Sequence, residues 1–165
     1  MDYSLSNVEI KKALHIPVIS YQRLASLRNI STILKPGKGV VILFETRPNV
    51  GHWTLLMDRG NSIEFFDSYG LKPDQELRKI DKQYRIESNQ LYPKLLTLLY
   101  ESGRKIEYSP YKLQKIGKNV NTCGRWVVIR YLNKNLTIDE FHKSIMNLAR
   151  KEGLTPDKLV VKLTS

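Results

Sequence analysis

The stretch Gly51-His52-Trp53-Thr54-Leu55-Leu56-Met57-Asp58-Arg59-Gly60-Asn61-Ser62-Ile63-Glu64-Phe65-Phe66-Asp67 decides the fold. Two runs of apolar, aromatic and β-branched residues flank a Gly-Asn pair, the pattern of a β-hairpin. With Gly60-Asn61 as the two-residue turn, paired residue numbers sum to 121, and Asp67 falls opposite Thr54. His52 and Thr54 share a face because strand side chains alternate. His52 and Asp67 then become diagonal neighbours on that face, about 7–8 Å apart at Cα and within side-chain reach. Asp58 is nearer in sequence, but it sits at the hairpin tip, about 20 Å along the strand from His52 at ~3.3 Å per residue. Asp67 also opens the turn-rich Asp67-Ser68-Tyr69-Gly70, so it reads equally well as a residue that ends its strand.

Working outward, Val40-Val41-Ile42-Leu43-Phe44 reads as a buried strand after the turn Lys35-Pro36-Gly37-Lys38-Gly39. Upstream, Ser6-x-x-Glu9 is a capping box that opens a helix through about Leu14. Residues 21–34 space Tyr21, Leu24, Leu27, Ile30 and Leu34 at helical intervals. Downstream, residues 74–90 are polar and read as a surface excursion. Residues 91–102 place Leu91, Leu95, Leu98 and Leu99 on one helical face, with Gly103 as a stop. A short strand is predicted over 105–108 and a helix over 123–132. A second capping box, Thr137-x-x-Glu140, opens another helix, and residues 159–163 read as a last strand. The expected fold is α+β: a small mixed sheet flanked by helices, in one domain over residues 1–165.

The chain has 165 residues and a net charge of +11, unevenly placed. Residues 1–75 hold nine Lys/Arg and seven Asp/Glu; residues 76–165 hold eighteen and nine. A basic second half attracts polyanions, DNA among them, and Arg104, Lys105, Lys112, Lys115 and Lys118 are the candidate contacts. One cysteine rules out an intramolecular disulfide and a multi-thiolate zinc site, and no metal is expected. The start carries no signal-peptide pattern, and no apolar run approaches a membrane span.

Cys123 is the candidate nucleophile. A lone cysteine is more often a buried small hydrophobe, but Asn121-Thr122 are good cap residues and a helical pattern follows Gly124. At a helix start, the dipole and free N–H groups favour a thiolate and could hold an oxyanion. Lys112, Lys115, Lys118 and Arg125 add positive potential. Among the bases, His15 sits at a helix exit and His142 reads as a surface residue of the last helix. His52 begins a strand and has Asp67 as partner.

Gly51-His52-Trp53-Thr54-Leu55, then Phe65-Phe66-Asp67-Ser68-Tyr69-Gly70, then a Gln, then Thr122-Cys123-Gly124, resembles the adenovirus protease-like cysteine peptidases, the superfamily that includes the SUMO-specific proteases. Cys123-Gly124-Arg125-Trp126 and the closing Pro156-Asp157-Lys158-Leu159-Val160 look most like the enzymes of virophages, Maverick/Polinton elements and large DNA viruses. The resemblance implies a papain-like architecture with Cys123 as nucleophile, His52 as general base, Asp67 as third member and Gln114 as oxyanion donor. It places Trp53 and Gly124 beside bound substrate. Gln114 stands nine positions before Cys123, whereas relatives place the glutamine about six or seven before. Either the loop is longer here, or Asn119 or Asn121 takes the role; Gln114 is preferred.

The implied activity is a maturation endopeptidase, a monomer that cleaves capsid or other virion precursor proteins at small, often glycine, sites. It would work in the virion, the cytoplasm or a viral factory, away from membranes. No cofactor is needed for the chemistry, although DNA or a peptide could activate it. The alternatives are an isopeptidase removing a ubiquitin-like modifier, and a basic nucleic-acid-binding module on a degenerate protease fold.

Overall fold

The computed structural model describes residues 3–117 and 120–165. Five strands form one mixed sheet in the order β1-β2-β3-β4-β5: β1 Val18–Ser20, β2 Gly39–Arg47, β3 Val50–Asp58, β4 Ser62–Phe66 and β5 Lys105–Tyr108. The three central strands are antiparallel neighbours, and the two edge strands join them in parallel. The helices are α1 Asn7–Leu14, α2 Lys82–Glu87, α3 Lys94–Glu101, α4 Cys123–Leu132, α5 Ile138–Glu152 and α6 Pro156–Leu163. Among the described residues, no helix is long and apolar enough to cross a membrane.

The β3–β4 register pairs Leu55 with Phe66 and Asp58 with Ile63, so paired numbers sum to 121 as the turn requires. Gly60 has φ +83°, and the Arg59 N–H donates to the Ser62 carbonyl at 2.9 Å. A two-residue hairpin turn with a positive φ at its first central position is the type II′ turn, which calls for glycine there. Asp67 stands one step beyond the last pair, on the Thr54 side.

The sheet is buried on both faces, which explains the unbroken apolar run of β2. Val41, Leu43, Trp53, Leu55, Met57 and Phe66 face α1, α4, α5 and α6. Val40, Ile42, Phe44, Leu56, Ile63 and Phe65 face α3 and the segments around residues 19–34 and 77–80. The mixed α+β class with helices on a small sheet is therefore observed.

Three sequence expectations are corrected. Residues 159–163 are not a strand but the second half of α6: the Thr155 hydroxyl caps it by accepting from the Lys158 N–H, and Pro156 occupies its first turn. Residues 21–34 form two 3₁₀ segments, Tyr21–Ser26 and Ile30–Thr32, instead of one helix. Residues 74–90 are no mere surface excursion. Asp74, Glu76, Leu77, Ile80 and Gln90 are buried, and the Gln90 carboxamide pairs with both backbone groups of Glu45 at 2.9 Å, standing in for a strand neighbour of β2.

Candidate active site

The sheet and α4 bring three predicted residues together. His52 lies near the start of β3, Asp67 directly after β4, and Cys123 is the first residue of α4. The His52 Nε2 and Asp67 Oδ1 atoms are 2.7 Å apart, with His52 and Asp67 5% and 1% exposed. Cys123 lies near enough to the same imidazole to favour its protonated form. The Cys123 Sγ also accepts the Trp53 backbone N–H at 3.5 Å. Asp67 fills both roles that its sequence allowed: Oδ1 also accepts the Tyr69 N–H at 2.8 Å, which closes the turn.

Burial works against a positive charge on His52, but the Asp67 charge and hydrogen bond outweigh it, with smaller help from Cys123. The imidazole pKa therefore lies well above its ordinary value. The Tyr69 ring stacks on His52, centroids 4.4 Å apart and planes within 8°, and fixes the plane of the imidazole. Burial, then the neighbouring Cys123, Glu76, Asp67 and Asp157, push the Tyr69 phenol up to about 12.

Gln114 is buried and held from Asp67's neighbour. Ser68 Oγ donates to Gln114 Oε1 at 2.6 Å, and the Ser68 carbonyl accepts the backbone N–H of both Leu113 and Gln114. Gln114 Nε2 donates one N–H to the Val120 carbonyl at 3.1 Å, and its second N–H has no acceptor among the described residues. Of the alternatives, Asn121 Oδ1 accepts the Tyr3 N–H, and Asn119 lies outside the described residues.

Trp53 and Gly124 meet on the core side. A Cβ at Gly124 would stand 3.2 Å from Ile10, Leu5 and Trp53, and the Trp53 indole N–H donates to the Leu5 carbonyl. The missing side chain of Gly124 lets the N-terminal segment close over α4. His142 is half-buried and stacks on Tyr111 at 3.7 Å, which corrects its reading as a surface residue. Arg104, one of the candidate nucleic-acid contacts, clasps both carboxylate oxygens of Asp58 and the carbonyls of Gly60 and Ser62. Lys105, Lys112 and Lys115 are exposed, and Lys118 lies outside the described residues.

Sequence reading passed over two supports. Asp157 receives the Thr122 hydroxyl (2.6 Å) and the Trp126 indole N–H (3.1 Å) on one oxygen, and the Lys115 N–H (2.9 Å) on the other. It thereby pins the start of α4 to the loop that carries Gln114. Glu76 is the second: an oxygen of Glu76, one of Asp67 and a ring nitrogen of His52 lie within 4.8 Å of one another. This cluster does not suit a metal. His52 Nε2 and Asp67 Oδ1 approach to 2.7 Å, a direct hydrogen bond, whereas two ligands on one tetrahedral ion at ~2.0 Å stand about 3.3 Å apart.

No family model matches the sequence. An uncharacterized protein of Sputnik virophage, V9, is 42% identical over 164 residues, which is 98% of this chain and 94% of that protein. The chain belongs to the V9 family. Its relative brings a virophage source and no stated activity. Two crystal structures of ASFV pS273R protease, one as the Se-Met form, are also similar to this V9-family chain. One aligns at 14% identity and TM-score 0.41 over 78% of this chain and 52% of the protease; the Se-Met form aligns at 16% and 0.45 over 84% and 61%. The V9-family chain thus spans between half and two thirds of the length of those proteases.

Proposed function

We propose that this chain is a cysteine endopeptidase that processes virion precursor proteins. One observation carries the reading: His52 pairs with the Asp67 carboxylate at 2.7 Å, and the next residue, Trp53, holds the Cys123 Sγ at the start of α4 with its backbone N–H. In this mechanism His52 takes the Cys123 proton, the sulfur adds to the scissile carbonyl, and Asp67 stabilises the imidazolium. The imidazolium then protonates the leaving amine as the C–N bond breaks. Water, activated by the same histidine, hydrolyses the thioester and frees Cys123. Backbone N–H groups at the start of α4, with the free N–H of Gln114, would hold the oxyanion. The resemblance to viral maturation enzymes, and a relative from a virophage, support virion proteins as substrates and small residues at the cut.

The test is co-expression with the capsid precursor of the same genome, followed by mass spectrometry of the products. Wild type should give discrete cleavage and Cys123→Ala none, with both proteins equally folded by circular dichroism. Equal cleavage by the alanine variant would sink the mechanism. Cleavage confined to ubiquitin-like conjugates would replace the substrate class and leave the chemistry standing.

A further inference from the structure

Behind the His52–Asp67 pair, two buried acceptors lack a donor. Asp67 Oδ2 and Glu76 Oε2 are both enclosed and without a hydrogen-bond partner, in residues 1% and 6% exposed. Each carboxyl group brings an oxygen within 4.8 Å of the other and of the imidazole. Two ionised carboxylates in that position would repel each other and leave two desolvated lone pairs unpaired. One proton removes both penalties.

We propose that Glu76 is a positioning residue: it carries a proton and donates it as a hydrogen bond to Asp67 Oδ2, while Asp67 Oδ1 holds His52. This rests on the cysteine-peptidase reading only for its catalytic consequence; the shared proton itself does not depend on it. Asp67 then has a partner on each oxygen and cannot swing away from the imidazole. The arrangement extends the line Cys123–His52–Asp67 by a fourth group.

The surroundings of Glu76 bear on whether the proton stays. Burial is the largest influence and raises its pKa; the His52 charge lowers it, Asp67 raises it and Lys79 lowers it. The net direction is up. Lys79, from the 3₁₀ segment Gln75–Lys79, has its ammonium 3.8 Å from Glu76 Oε2, beyond hydrogen-bond distance. That ammonium lies 4.2 Å over the Tyr69 ring and is partly in water, so it is divided between two partners. Tyr69 is the remaining titratable neighbour, and it stays neutral across the working range.

The test needs no known substrate. The rate of Cys123 alkylation by iodoacetamide is measured from pH 4 to 9 in wild type, Glu76→Gln and Glu76→Ala, and the carboxyl group of Glu76 is titrated in wild type by carbon NMR. A glutamine can give Asp67 Oδ2 the same hydrogen bond from its amide nitrogen, at every pH. Alanine leaves that oxygen bare. Expected is a roughly tenfold slower alkylation in Glu76→Ala, the scale of one lost hydrogen bond to a charged group, with Glu76→Gln restoring most of it. The wild-type carboxyl should titrate above the ordinary glutamate range, and the Glu76→Gln profile should lack the matching step. Equal impairment of both variants would overturn the proposal, because the charge of Glu76 would then matter and not its donor. So would wild-type behaviour in both, or a Glu76 carboxyl that titrates at or below the ordinary range. If Glu76→Ala fails to fold, the glutamine profile and the wild-type titration still decide. Failure of the peptidase reading shows separately, as absent cleavage with the titrations unchanged.

Discussion

Asp67 is where the residue scale is most informative. Its Oδ1 receives both the His52 ring and the Tyr69 N–H, so the turn that ends β4 is also the device that aims the imidazole. Partner of His52 and turn residue were equal readings of the sequence, and the geometry joins both on one carboxylate oxygen. It also gives His52 a stability role with a definite sign. The folded imidazole binds its proton more tightly than the unfolded one, whose pKa is about 6.5. That contribution is therefore complete below about pH 6.5 and is lost as pH rises through the higher folded value. Urea midpoints measured from pH 5 upward should fall for wild type across that window, and the fall should be shallower in His52→Gln. A variant with the same slope as wild type would show that His52 is not a net proton binder on folding.

At the scale of elements, α4 depends on what it lacks. The start of the helix is clamped from one side by Asp157 through Thr122, Trp126 and Lys115. On the other side, Gly124 lets Leu5, Ile10 and Trp53 approach the backbone. A methyl group at 3.2 Å from three apolar carbons asks each to yield by a few tenths of an ångström, and alanine gains about 1 kcal/mol of helix propensity over glycine in return. Gly124→Ala should thus be close to neutral. Gly124→Val adds two further carbons to the same closed space and should cost about 2 kcal/mol by overpacking, measured by urea denaturation. Legibility followed the range of the forces involved. The hairpin was readable with its register because the Gly60-Asn61 turn and the alternation on either side are local. The capping boxes of α1 and α5 were readable for the same reason, and both are present. Residues 159–163 misled because Val160-Val161 favour a strand by local preference, while contacts with α4 and α5 hold them in a helix. Glu76 was invisible because its segment is polar in sequence and is buried only through contacts with residues distant along the chain.

Over the whole molecule, charge is the property most visible in the sequence and least explained by the fold. Of the eighteen basic residues after position 75, the guanidinium groups of Arg104, Arg125 and Arg130 are spent internally. Arg130 is 1% exposed and grips the buried Glu64, which Arg59 holds from the other side. Such pairs shape the fold but offer nothing to a polyanion. Exposed lysines, with Arg78 and Arg150, carry the outward-facing positive charge, and Lys112 and Lys115 lie exposed on either side of the buried Leu113-Gln114, beside the candidate oxyanion donor. If DNA is a partner, it is held by charge at phosphates, with no base reading required. Binding to a duplex of arbitrary sequence should then weaken on a straight log–log line as salt rises, with a slope of about −0.9 per phosphate contacted. Lys112→Glu with Lys115→Glu should make that slope shallower by about two, while Arg104→Gln, whose charge is already occupied by Asp58, should leave it unchanged and lower stability instead. Fluorescence anisotropy over a salt series distinguishes the cases. Wild-type binding without salt dependence, or a larger loss from Arg104 than from the two lysines, would place the basic character of this chain in solubility and not in recognition.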